Sequence, residues 1–138
     1  MNVRMGTWTV LFILLMPFTG IAQVEITQDI TQNTQWTSDN VYWVRSNITV
    51  TSGATLTIQP GTVVKIGNYY HGLTIEGTLN AVGRATRPVV FTSYADDSYG
   101  GDTNGDGIAT QPARGNWAGL DFKPGSSGQL SYCRITYG

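Results

Sequence analysis

The segment GGDTNGDG, residues 100–107, places oxygen-bearing side chains at every second position, as Asp102, Asn104 and Asp106. Calcium takes roughly six to eight oxygen ligands, and a glycine at the sharp turn allows alternating side chains to surround one ion. The spacing therefore predicts a calcium loop. A hydrated Gly/Asp/Asn turn without metal is the alternative for such a composition.

Two further carboxylates, Asp96 and Asp97, precede this segment and are the expected donors for the rest of the metal shell. The pattern departs from an EF-hand, because Ala113 stands where the loop would end with a bidentate glutamate. Ligation would use up the carboxylates and leave no evident base, so we expect the metal to have a structural role.

No catalytic residue can be assigned from the sequence. Asp96 and Asp97 are adjacent, and on a strand they would point to opposite faces, which makes them a poor acid/base pair. The only histidine, His71, follows two tyrosines beside a glycine, and we expect it to be an exposed corner residue. Cys133 is predicted to be a small apolar core residue.

Three aromatic residues are candidates for ligand binding. Tyr69 and Tyr70 could form a platform on which sugar rings stack, or they could simply pack against the next part of the fold. Trp117 follows the acidic segment, where it could anchor the returning chain or contact a ligand.

Composition and charge restrict the class of protein. The chain is 41% hydrophobic and 12% charged, which is typical of a folded domain. Arg4 lies in an N-terminal segment that we expect to be removed, as described below. The other seven basic residues face nine acidic ones, and they form no basic cluster that could follow a phosphate backbone. Nucleic acid is therefore not an expected partner.

The N-terminal segment, 1–22, has the pattern of a signal peptide. Arg4 precedes an apolar run over residues 10–16, and small residues follow before Gln23. The run is shorter than the roughly 20 residues that a membrane-spanning helix needs. We expect an exported chain without a membrane span, either secreted or at the cell surface.

The elements that must position these residues are short strands. From Val41 onward, runs rich in Val, Ile, Thr and Tyr are separated by Gly, Pro or Asn, and apolar residues do not recur at helical spacing. The segments that begin at Leu56 and Leu73 resemble each other. A repeat of this kind predicts a solenoid of stacked coils, with the distance from Leu56 to Leu73 as its period.

Alternation along the strands predicts which side chains face the core. The expected inward residues are Leu56, Ile58, Val64, Ile66, Leu73, Ile75, Val89, Phe91, Leu120 and Phe122, and the expected outward ones are Thr57, Lys65, Thr74 and Asp121.

The segments ITVTSGATLTIQPGTVVKIG, LTIEGTLNAVGRATRPVVFTSYADDS, GGDTNGDG, NWAGLDF and LSYCRITYG carry a family resemblance. Together they resemble the opening coils of the right-handed parallel β-helix proteins of the pectin-lyase-like superfamily that bacteria export. The resemblance covers about residues 41–138 and implies an all-β chain with coils over 46–138. These coils follow the signal peptide at 1–22 and a polar segment at 23–45 that we predict to be an N-terminal cap. The coils are interrupted by an inserted acidic loop at 94–115.

The resemblance also sets the expectations for function. Proteins of this superfamily are usually longer, which implies further coils or a capping partner beyond Gly138. We expect an exported or cell-surface module that is structural or carbohydrate-binding and non-catalytic in this segment, with polysaccharide as its candidate partner. The alternative is the N-terminal part of a polysaccharide lyase or glycoside hydrolase whose catalytic coils lie further on.

Overall fold

The computed structural model describes residues 21–138, so the predicted signal peptide lies almost entirely outside the described range. These residues form twelve strands. The strands are β1 (Ala22–Ile26), β2 (Thr34–Trp36), β3 (Asn40–Val44), β4 (Ile48–Val50), β5 (Thr55–Ile58), β6 (Val63–Ile66), β7 (Leu73–Ile75), β8 (Thr78–Val82), β9 (Val89–Ser93), β10 (Leu120–Phe122), β11 (Ser127–Ser131) and β12 (Cys133–Ile135).

The strands form three sheets, and all pairings between them are parallel. The sheet orders are β1-β3-β6-β9-β12, β10-β7-β4 and β11-β8-β5-β2. Consecutive strands such as β3, β4 and β5 lie in three different sheets, and the next three strands stack on them in the same order. Each turn of the chain therefore makes one three-sided coil, and the stack is a right-handed parallel β-helix.

The predicted period was wrong, because the true coils are longer and unequal. Val41 pairs with Val63, and Val63 in turn pairs with Val90. Leu56 pairs with Leu79 and not with Leu73, which belongs to a different sheet. All three sides of a coil bury alternating aliphatic residues, so their sequences resemble one another, and local similarity matched strands on different sides of the helix.

The core runs through the middle of the stack. Eight of the ten predicted inward residues, from Leu56 to Phe91, are buried as predicted, whereas Leu120 is only partly buried. Phe122 is 38% exposed, contrary to the prediction. Its strand, β10, has a neighbour on one side only, so the side chain is covered from a single direction.

The opposite end of the stack is closed by aromatic packing. Trp36 and Tyr42 stack with ring centroids 4.7 Å apart, and the Tyr42 hydroxyl accepts a hydrogen bond from the Thr37 backbone N–H. Ile30 is buried against the same core and forms a bridge to Val50. The segment predicted as a cap thus contributes β1, β2 and β3 to the sheets.

Candidate functional site

The chain between β9 and β10, residues 94–119, folds across the outer face of the five-stranded sheet. Tyr94 stacks on Trp43 of β3, with ring centroids 4.0 Å apart and planes 3° from parallel. The Tyr94 hydroxyl donates a hydrogen bond to the Thr103 carbonyl at 2.6 Å. Gly100 lies so close to Val41 that a Cβ on this glycine would be 2.7 Å from Val41 Cγ2. The acidic loop is therefore packed onto the stack.

Lys65 attaches this loop to the sheet, which corrects the prediction that it faces solvent. Its side chain points outward from β6, but the loop covers it and leaves it fully buried. The ammonium donates to the Gly101 carbonyl at 2.6 Å and to Thr103 Oγ1 at 2.8 Å. Burial lowers the pKa of Lys65, and the negative charge of nearby Asp97 opposes this shift.

Asp96 is separated from the other candidate ligands by its hydrogen bonds. It is 1% exposed, and its Oδ2 accepts a hydrogen bond from Thr92 Oγ1 at 2.6 Å. Its Oδ1 accepts from the Ser98 backbone N–H at 3.1 Å. One carboxylate oxygen therefore fastens the beginning of the loop to β9, and the other holds the turn at Ser98 within the loop.

Three of the predicted ligands do converge. Asp97, Asp102 and Asp106 each bring a carboxylate oxygen within 4.8 Å of those of the other two. Asp102 accepts hydrogen bonds from three backbone N–H groups of the turn that follows it, those of Gly105, Asp106 and Gly107. This carboxylate organises the turn and at the same time forms part of the cluster.

Asn104, which was also predicted to be a metal ligand, lies beside this cluster. Its Nδ2 donates to Asp106 Oδ2 and to Thr110 Oγ1, both at 2.9 Å. Three oxygens in this part of the loop are covered from solvent and accept no hydrogen bond, namely Asp97 Oδ1, Asn104 Oδ1 and Asp106 Oδ1. Buried acceptors are normally satisfied, so these three are suited to an additional donor or a cation.

A cavity of about 390 Å³ separates the acidic loop from the corner after β6. Its lining includes Tyr69 from the corner and Asn104 and Asp106 from the loop, whereas Tyr70 is not part of the lining. The two tyrosine rings contact each other with centroids 3.9 Å apart. The structure therefore places one of the predicted platform residues opposite two of the predicted metal ligands. We call this space the loop cavity.

The remaining candidates lie in other environments. Trp117 is 2% exposed and donates from Nε1 to the Thr136 carbonyl at 2.7 Å, so it is a core residue with no free face for a ligand. His71 is half-buried, and burial, together with the positive charge of Arg45, lowers its pKa. Cys133 is partly buried against the core.

Sequence reasoning missed Trp43, Lys65 and Tyr94, the residues that hold the loop. Lys65 carried a signal, since it is the only charged residue in the apolar strand TVVKI. That signal could not be interpreted without knowing that a segment much further along the chain, around Gly101, covers the same face.

The stacked three-sided coils define a parallel β-helix with an acidic insertion on one outer face. The model of the pectate-lyase-like beta helix domain family matches residues 28–138, and the chain belongs to this family. This confirms the predicted superfamily and fold. Comparisons with curated proteins and with solved structures gave no match.

Within the described residues 21–138, no helix is long and apolar enough to cross a membrane.

Proposed function

We propose that the chain is a non-catalytic β-helix module of an exported protein, structural or carbohydrate-binding, whose acidic loop holds a structural calcium ion. The predicted signal peptide is the basis for export. The observation that carries the calcium proposal is the convergence of Asp97, Asp102 and Asp106 within 4.8 Å. Like charges so close together repel one another unless a cation lies among them.

Lys65 only partly meets this need. Its ammonium is close enough to Asp97, Asp96 and Asp102 to interact with their charges. Its hydrogen bonds, however, go to Gly101 and Thr103, and the three covered oxygens of Asp97, Asn104 and Asp106 remain without a donor. Calcium accepts carboxylate and amide oxygens together, so this donor set suits it.

A calcium ion at this position would join the beginning of the acidic loop to its middle. Asp97 lies near the start of the loop, where Asp96 is hydrogen-bonded to β9, and Asp106 lies in its middle. Since the loop is already stacked on Trp43 through Tyr94, ligation would fasten its middle to the same surface.

We expect calcium to stabilise the protein against heat, with the effect reversed by a chelator. At a calcium concentration of ten times Kd the gain is about 1.4 kcal/mol, because only the folded loop brings the ligands together. Differential scanning calorimetry in calcium and in EDTA measures it. Asp97→Asn and Asp106→Asn should abolish the shift, whereas Asp121→Asn, an exposed carboxylate on β10, should keep it. An unchanged Tm of the wild type in calcium would refute the metal site.

The non-catalytic part of the proposal rests on the sequence, in which no catalytic residue could be assigned. The structure adds one point, since Lys65 is fully covered by the loop and could not reach a substrate as a base. We expect the chain to release no product from polygalacturonate or from neutral polysaccharides, measured as unsaturated ends and as reducing sugar. Product formation that survives repeated purification would contradict this and favour the enzyme alternative.

A further inference from the structure

The loop cavity has the size and the chemistry of a small-ligand site. Its volume of about 390 Å³ falls within the range that is typical of ligand pockets. One wall is the ring of Tyr69, which is 61% exposed. The opposite wall carries amides and a carboxylate from Asn104, Asp106, Gln111 and Asn116.

The two walls offer the two kinds of contact that a sugar uses. An exposed aromatic ring can cover the apolar face of C–H groups on a pyranose, and amides can donate to and accept from its hydroxyls. Asn116 already uses its Oδ1 to accept from Ser93 and from the Ala113 backbone N–H, which fixes its position in the wall. Tyr94 is likewise held by its stacking on Trp43.

The charge of the lining selects among sugars. None of the described residues that line the loop cavity is basic, and Asp106 contributes a carboxylate. The buried ammonium of Lys65, which lies nearby, has its hydrogen bonds directed to Gly101 and Thr103. A uronic acid would find no Arg or Lys partner for its carboxylate among the described lining residues, whereas a neutral hydroxyl-rich ring needs none.

We propose that the loop cavity binds a neutral sugar unit of a polysaccharide, with Tyr69 as its stacking platform. This rests on the proposed function to the extent that the acidic loop, which forms one wall, has to be ordered. It separates the roles of two adjacent tyrosines: Tyr69 contacts the ligand, and Tyr70, although 70% exposed, lies outside the cavity.

The test is affinity electrophoresis of the full chain in native gels that contain a neutral galactomannan, a neutral β-glucan, a xylan or polygalacturonate. Retardation is expected with at least one neutral polymer and not with polygalacturonate. Tyr69→Ala should weaken it about tenfold, as for the loss of a central aromatic contact, whereas Tyr70→Ala should leave it within about twofold. Gln111→Ala should also weaken it.

The outcomes are distinguishable from those of the calcium experiment. Retardation by polygalacturonate alone, by none of the polymers, or equally in Tyr69→Ala and the wild type would overturn the neutral-sugar site, even if calcium still raises the Tm. Retardation in EDTA together with an unchanged Tm in calcium would leave the sugar site standing and refute the metal. If the wild type shows neither retardation by a neutral polymer nor a higher Tm in calcium, both the sugar site and the metal site are refuted.

Discussion

Gly77→Ala should destabilise the β-helix by about 3 kcal/mol, at the upper end of what overpacking costs. Gly77 forms the turn between β7 and β8. A Cβ at this position would collide with the backbone carbonyl oxygens of Thr51 and Ala54 in the preceding coil. Both oxygens accept backbone hydrogen bonds, that of Thr51 from Ala54 and that of Ala54 from Thr78. Movement of the Ala54 oxygen would break a hydrogen bond between coils, and movement of the Thr51 oxygen would break the turn that leads into β5.

Chemical unfolding followed by tryptophan fluorescence measures this loss, and Gly53→Ala is the matched control. Gly53 is also a corner glycine, but its Cβ would meet nothing within 4 Å. Its backbone φ of 84° lies in the left-handed region, so alanine there costs only about 1 kcal/mol in backbone strain. Equal losses in the two variants would show that close approach of the coils at Gly77 is not what requires glycine.

Lys65→Ala should cost about 3 kcal/mol of unfolding free energy, which combines lost burial with lost hydrogen bonds. The change removes three buried methylene groups, worth about 0.8 kcal/mol each. It also leaves the Gly101 carbonyl and Thr103 Oγ1 without their donor. Relief of the desolvation of the ammonium offsets part of this loss. Because Lys65 holds the acidic loop, the variant should also expose that loop to limited proteolysis.

Lys123→Ala is the control for Lys65. Lys123 is half-exposed and pairs with Asp121 at 2.6 Å on the surface, so its removal should leave the free energy of unfolding nearly unchanged. A Lys65 variant as stable and as protease-resistant as the Lys123 variant would contradict the anchoring role.

The difference in free energy of unfolding between wild type and Lys65→Ala should also widen as the pH rises toward the ordinary pKa of lysine. Burial holds the pKa of Lys65 below its ordinary value in the folded protein. Between that lowered pKa and the ordinary one, the unfolded chain binds more protons than the folded chain, and stability therefore rises with pH. Urea titrations at several alkaline pH values measure the difference, and a gap that narrows with pH would be the wrong sign.

Much of the fold followed from the sequence. Alternating aliphatics in short strands, separated by glycines, predicted a solenoid and its inward residues from Leu56 to Phe91, and the family resemblance specified a parallel β-helix. These are local properties, since each strand carries its own pattern of burial. The length of the repeat, by contrast, could not be predicted correctly from the sequence. The apparent repeat matched strands on two different sides of the helix, whereas true partners such as Val41 and Val63 are separated by a whole coil. The register between strands depends on how the coils stack, and the sequence of a single strand does not contain this information.

The candidate site divides in the same way. The sequence alone determined that the acidic loop is rich in hard oxygen donors and that Tyr69 and Tyr70 are adjacent aromatics at a corner. Only the tertiary structure decided that Asp96 turns to Thr92, that Asp97 joins Asp102 and Asp106, and that Tyr69 faces the loop cavity. It also decided that Lys65 is buried. The physical reason is that a side chain on the outer face of a strand is exposed or covered according to what a distant insertion does, and that depends on contacts across the stack.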